Sequence, residues 1–124
     1  MPRGPTEGDL KLSLQTYNKQ KEECMKNGDT LGQAEAALAM ANVHVMAGKA
    51  EDYRRMQNFL PMAKMHPAMA GANAEMAQGL YWQLGPEKYG EQLKAAQTIL
   101  DMERVQQTAA YRGKPFDYDY EAVV

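Results

Sequence analysis

Residues 31–45, LGQAEAALAMANVHV, are the stretch on which the fold turns. Leu31, Ala34, Leu38, Ala41 and Val45 recur at intervals of three and four, the spacing of one face of an α-helix. A half-buried strand would instead place its apolar side chains at every second position. These five positions mix odd and even numbers, so the stretch reads as helix.

Composition extends that reading to the rest of the 124 residues. Methionine occurs ten times and alanine is abundant, whereas valine, isoleucine and threonine are scarce. Alanine and unbranched side chains lose little freedom on a helix, and β-branched ones lose more. The length suits one domain, and such a chain can bury roughly two thirds of its unfolded surface.

Working outward from the central stretch, Asn27-Gly28-Asp29-Thr30 marks a boundary, with Gly28 suited to a left-handed helix cap. Thr30 and Gln33 have the spacing of a capping box, as do Thr6 and Asp9 upstream. Between these boundaries Leu10, Leu14, Tyr17 and Cys24 predict a first helix, broken in its apolar face only at Lys21. Downstream, Gly48 is expected to close the second helix. A third follows from about residue 50, with Tyr53, Met56 and Leu60 on one face, until Pro61 stops it. Pro67 marks a further break. A fourth helix runs from about Pro67 to Leu84, burying some of Ala70, Ala74, Ala77, Leu80, Tyr81 and Leu84. Gly85-Pro86 ends it, and Pro86 suits the first position of a fifth, which carries Tyr89, Leu93, Ala96 and Leu100 to about Arg112, with Gly113 as its cap.

Around Gly48, LAMANVHVMAGKAEDY (residues 38–53) resembles a tetratricopeptide hairpin: small residues on one helix, a glycine at the turn, an aromatic on the next. The resemblance covers one hairpin of about 34 residues. His44 stands where that motif has tyrosine, and no second copy follows, so what it implies is helical-hairpin packing alone. The expected fold is all-α: an irregular bundle or stacked hairpins of four to five helices. The expected organisation is an extended arm at residues 1–6, one helical domain at 7–113 and an extended tail at 114–124.

Net charge is −2, and the imbalance is local. Residues 1–113 carry equal numbers of acidic and basic groups, while the tail sets Lys114 against Asp117, Asp119 and Glu121. A neutral body gives no electrostatic reason to bind nucleic acid or an anionic membrane surface. No apolar run approaches the roughly 20 residues that span a bilayer, and MPRGPTEGD lacks the apolar stretch of a signal peptide. The lone Cys24 has no cysteine partner for a disulfide. The expected setting is intracellular, in the cytoplasm or inside a viral particle.

The strongest chemical candidate is PMAKMHPAMAGANAEM, residues 61–76. Met62, Met65, His66 and Met69 combine thioethers and an imidazole, the soft ligands that suit Cu(I). Methionine is equally an adaptable filler of irregular packing, and Met25, Met40, Met46, Met56, Met76 and Met102 are spread along the chain. The stretch therefore reads as an oily hinge between helices, with no metal and no cofactor expected. No phosphate-binding loop, serine-nucleophile elbow or zinc-protease motif occurs, and His44 reads as a packing histidine. No enzymatic activity is expected.

Two stretches point instead to protein partners. Tyr81 and Trp82 are neighbours, so on a helix they point about 100° apart, and one of them is free to face outward. Tryptophan and tyrosine are favoured in interface hot spots. The tail, PFDYDYEAVV, alternates Phe116, Tyr118 and Tyr120 against Asp117, Asp119 and Glu121, the period of a half-buried strand. Such a segment pairs with another chain's sheet edge, or lays its three rings across its own helices. The expected function is that of a structural subunit of a larger assembly, homomeric or mixed, with a virion component as the example by analogy. Its expected contacts are Phe116, Tyr118, Tyr120, Val123, Val124 and Trp82. The alternative is a small helical adaptor that binds a peptide or protein in a groove, and a copper-binding protein is the remote third reading.

Overall fold

The computed structural model describes the backbone of residues 7–58 and 65–111, and the side-chain surroundings of residues 8–49 and 68–103. Every regular element among these is an α-helix: α1 (Glu7–Asn27), α2 (Thr30–Asn58), α3 (Met65–Leu84) and α4 (Gly90–Tyr111). The expected all-α class therefore holds, with four helices among the described residues. The arms at 1–6 and 114–124 lie outside them, as does Thr6 with its proposed capping box.

The turn between α1 and α2 is built from side-chain chemistry that the sequence only half discloses. Gly28 has φ 70°, the left-handed conformation that glycine takes at little cost. Its N–H donates to the Met25 carbonyl at 3.4 Å, and the Asp29 N–H donates to the Cys24 carbonyl at 2.8 Å. These two bonds complete a Schellman cap. Asp29, not Thr30, then caps α2: its Oδ1 accepts from the Gly32 N–H at 2.9 Å, and its carbonyl accepts from the Gln33 N–H at 3.0 Å. A carboxylate competes better than a hydroxyl for the unpaired amides of a helix start, because it also meets their positive dipole.

The same turn explains Gly32. A Cβ there would collide with Cys24 Sγ and lie 2.6 Å from Asp29 Oδ2. The absent side chain lets the end of α1 close over the start of α2.

Gly48 does not close a helix. α2 runs through it for 29 residues, about 43 Å, so the hairpin that residues 38–53 resemble is one continuous helix. Glycine ends a helix only where its backbone turns to positive φ, and among the described residues Gly28 and Gly85 alone do so. Gly48 is buried and is followed by residues with no proline before Pro61.

Pro67 likewise lies inside α3, in its first turn, where its missing N–H has no helical partner to lose. At the other end, α4 starts at Gly90 and not at Pro86. The Tyr89 N–H donates to the Gly85 carbonyl at 3.1 Å, a single turn, before Leu93 N–H to Tyr89 carbonyl at 3.0 Å continues the helix.

Packing follows chain order. α2 meets α1 and α3, α3 meets α4, and α2 makes a smaller contact with α4. Among the described residues α1 packs on α2 alone. Ala41, Val45, Ala70, Ala74, Ala96, Ile99 and Met102 form one core cluster of α2, α3 and α4. Ala34, Ala37, Ala77 and Tyr81 form a second, flanked by Leu31, Leu80, Leu84, Tyr89 and Leu93. Leu38 borders both clusters.

All five positions of the opening stripe thus face the core. α2 also buries Ala36, Met40 and Val43, which continue the line of Gly32 toward α1. Two buried faces make α2 the central element.

Candidate functional site

With α2 on one side and α4 on another, α3 keeps an outer face. Its exposed residues are Ala68, Met69, Ala72, Glu75, Met76, Gly79, Trp82 and Gln83. Met69, Ala72, Met76, Gly79 and Gln83 recur at intervals of three and four, and Trp82 stands at the edge of the same arc. Across five turns this face carries a single charge, Glu75. Trp82 is 65% exposed, and Met69 and Met76 are each 43% exposed. A Cβ at Gly79 would meet nothing within 4 Å, so no described part of the fold covers that end.

Other exposed apolar residues make a useful contrast. Leu12 and Met25 on α1 are exposed, but lysines, glutamates and glutamines surround them. Isolated surface apolar groups are ordinary in soluble proteins; a contiguous set is not.

The positioning of Trp82 follows from its neighbour. Tyr81 is buried in the core, and its ring packs against Tyr89 at 5.3 Å between centroids, tilted by 40°. Burial pushes the Tyr81 phenol above its ordinary range, with Glu35 and Tyr89 adding to the effect. Lys88 Nζ lies 5.6 Å from the Tyr89 ring centroid, near enough for a cation–π contact. With Tyr81 fixed inward, the next residue is turned out. Gly85, at φ 137°, then takes the chain out of α3.

Polar contacts hold α4 beside this face. Gln78 Nε2 donates to Gln97 Oε1 at 2.8 Å, and Gln97 Nε2 donates to Asp101 Oδ1 at 3.0 Å. A Cβ at Gly71 would collide with the Glu103 carboxylate, so that glycine makes room for the α4 side chain. Inside α3, Asn73 Nδ2 donates to the Met69 carbonyl at 2.9 Å.

The remaining residues singled out from the sequence are dispersed. Phe116, Tyr118, Tyr120, Val123, Val124 and Met62 lie outside the described residues. Met65 and His66 begin α3, one turn before Met69. His44 is buried in α2. Cys24 Sγ lies 3.8 Å from Asp29 Oδ2; partial burial, then Asp29, Glu23 and Glu35, push the thiol above its ordinary range. Among the described residues no three His, Cys, Asp or Glu side chains are grouped to hold a metal ion, and no helix is long and apolar enough to cross a membrane.

Met76 is the contact candidate that the sequence reading missed. It stood as one of many scattered methionines. Its signal was the interval of seven from Met69, with small residues between, on a helix whose other face is alanine. No protein-family model, curated protein or solved structure matches the chain.

Proposed function

We propose that this protein is a non-enzymatic structural subunit of a larger protein assembly, making its contacts through the C-terminal tail and the outer face of α3. A component of a viral particle is one setting that fits such a part. The observation that carries the reading is that outer face: Met69, Met76 and Trp82 exposed together, with Glu75 as the only charge. Fully burying an exposed methionine contributes about 1.5–3 kcal/mol, and Met69 and Met76, each 43% exposed, would gain somewhat under half of that when covered, so a helix face of this kind is stabilised by a partner. The mechanism is passive: the helices supply a rigid body, and the aromatic tail supplies reach.

Native mass spectrometry over a wide concentration range, on the full chain and on one ending at Gly113, tests this. The full chain should associate as concentration rises, and the shortened chain should stay monomeric. If both remain monomeric throughout, self-assembly is ruled out.

The groove-binding adaptor is the second reading, favoured by Met69 and Met76, whose flexible side chains suit adaptable surfaces. A partner retained in full by the chain ending at Gly113 would select it. Loss of a bound Cu(I) on replacing Met62, Met65, His66 and Met69 would instead point to metal binding.

A further inference from the structure

We propose that the outer face of α3 is the seat of this chain's own residues 114–124, with Phe116, Tyr118 and Tyr120 against Met76 and Trp82. The inference rests on the reading above that the tail and this face are the contact surfaces, and it names what covers the face in the single chain.

Three observations support that occupant. The first is geometry. The Gln78–Gln97 hydrogen bond and the approach of Glu103 to Gly71 set α3 and α4 antiparallel. Tyr111, at the end of α4, therefore lies at the Met65 end of α3, opposite Trp82.

The second is reach. α3 is 20 residues long, about 30 Å. The thirteen residues after Tyr111 can extend to about 40 Å, so the tail is long enough to turn and follow the whole helix. In an extended course Phe116 falls up to about 17 Å along, and Tyr120 up to about 30 Å. On α3, Met76 lies about 17 Å and Trp82 about 26 Å from the Met65 end, so both fall within that range, whereas Met69, at about 6 Å, falls before it.

The third is pattern. At period two, Phe116, Tyr118 and Tyr120 share one side, and Asp117, Asp119 and Glu121 share the other. An apolar face with one carboxylate takes the ring side and leaves the acidic side in water. Every element among the described residues is helical, so they offer no sheet edge for the tail to join. Ala72, between Met69 and Met76, and Gly79, between Met76 and Trp82, leave room for rings. A short tether also gives an effective concentration of order millimolar, so contact within one chain precedes contact between chains. Assembly would then proceed by exchange of the same tail between copies, a low-cost route to oligomers.

The test uses Trp82, the only tryptophan, as its probe. Emission and acrylamide quenching are compared between the full chain and the chain ending at Gly113, at concentrations where mass spectrometry shows a monomer. A full-length variant carrying Phe116→Ser, Tyr118→Ser and Tyr120→Ser keeps the tail length, and far-UV circular dichroism checks that each chain is folded. The proposal expects emission to move several nanometres to the red, with quenching increased, in both altered chains and independently of concentration. Unchanged emission in the folded serine variant overturns it. A shift that appears only as the mass doubles also overturns it, because the tail then sits on a second copy. Either result leaves the assembly reading to be judged by the mass measurement alone.

Discussion

Asp29 joins two helices through its two carboxylate oxygens. Oδ1 caps α2 at the Gly32 N–H, and Oδ2 faces the Cys24 thiol. Burial raises the Cys24 thiol above its ordinary range, and the charge that favours the helix start adds to this by disfavouring a thiolate beside it. Asp29→Asn separates the two effects, since asparagine caps about as well but carries no charge. Cys24 in the variant should therefore react faster with a thiol reagent near pH 8, by a few-fold, with little change in stability. The sign is fixed by the neighbour: removing a negative charge lowers the thiol pKa, so more thiolate is present at a given pH. An alkylation rate that is the same in both proteins would show that Asp29 does not govern the thiol. Asp29 was not recognised as the cap from sequence, because Thr30 with Gln33 satisfies the same spacing rule one residue later.

At the scale of elements, the buried seam between α2 and α3 is largely alanine: Ala34, Ala37 and Ala41 on one side, and Ala70, Ala74 and Ala77 on the other. Small side chains let the two helices approach closely, and larger residues from α4, chiefly Ile99 and Met102, fill the space beside them. Ala74→Leu should destabilise the fold by about 1–3 kcal/mol through overpacking. Ile99→Ala should cost about 2–5 kcal/mol through the cavity it leaves. Both residues belong to one cluster, so the double variant should lose less than the sum, because the leucine can use part of the vacated space. Urea unfolding midpoints measure all three, and strictly additive losses would show that the two positions do not share a cavity.

The apolar stripes behind this packing were legible in α2 and α3, but in α4 the stripe Tyr89, Leu93, Ala96 and Leu100 includes Ala96 and passes over Ile99 and Met102, which the core buries. The helix ends were less so. Gly48 and Gly28 look alike in sequence, and only the backbone φ distinguishes a helix that stops from one that continues. The second buried face of α2 was hidden for a related reason: Ala36, Met40 and Val43 look like breaks in the first stripe, yet all three are buried outside both clusters. For the candidate site, the 100° step from Tyr81 to Trp82 leaves one ring free to face outward, and the interval of seven puts Met69 and Met76 on one face, but the spacing does not show that this face is the uncovered one.

For the molecule as a whole, the order of packing divides the stability unevenly. Both core clusters are formed by α2, α3 and α4, and α1 contributes no residue to either. Leu10 is the only apolar residue of α1 that is buried among the described positions, while Leu14, Tyr17 and Cys24 are half-covered. Release of α1 would uncover one face of α2 and the turn at Asp29, but would leave the contacts of α3 and α4 in place. Such a helix opens by itself at a lower free energy than the whole domain. Native-state amide hydrogen exchange should therefore show α1 protected less than the core of α3, as a cooperative group spanning its middle turns. The Schellman cap at Gly28 acts against this locally, because the Cys24 and Met25 carbonyls are held from beyond the helix end. Amides near residues 10–20 should then open together, not fray one by one from the C-terminal end. Equal protection in α1 and α3, with the same denaturant dependence, would mean that α1 opens only with the whole domain, and that its single face against α2 couples it to the core more tightly than its burial indicates.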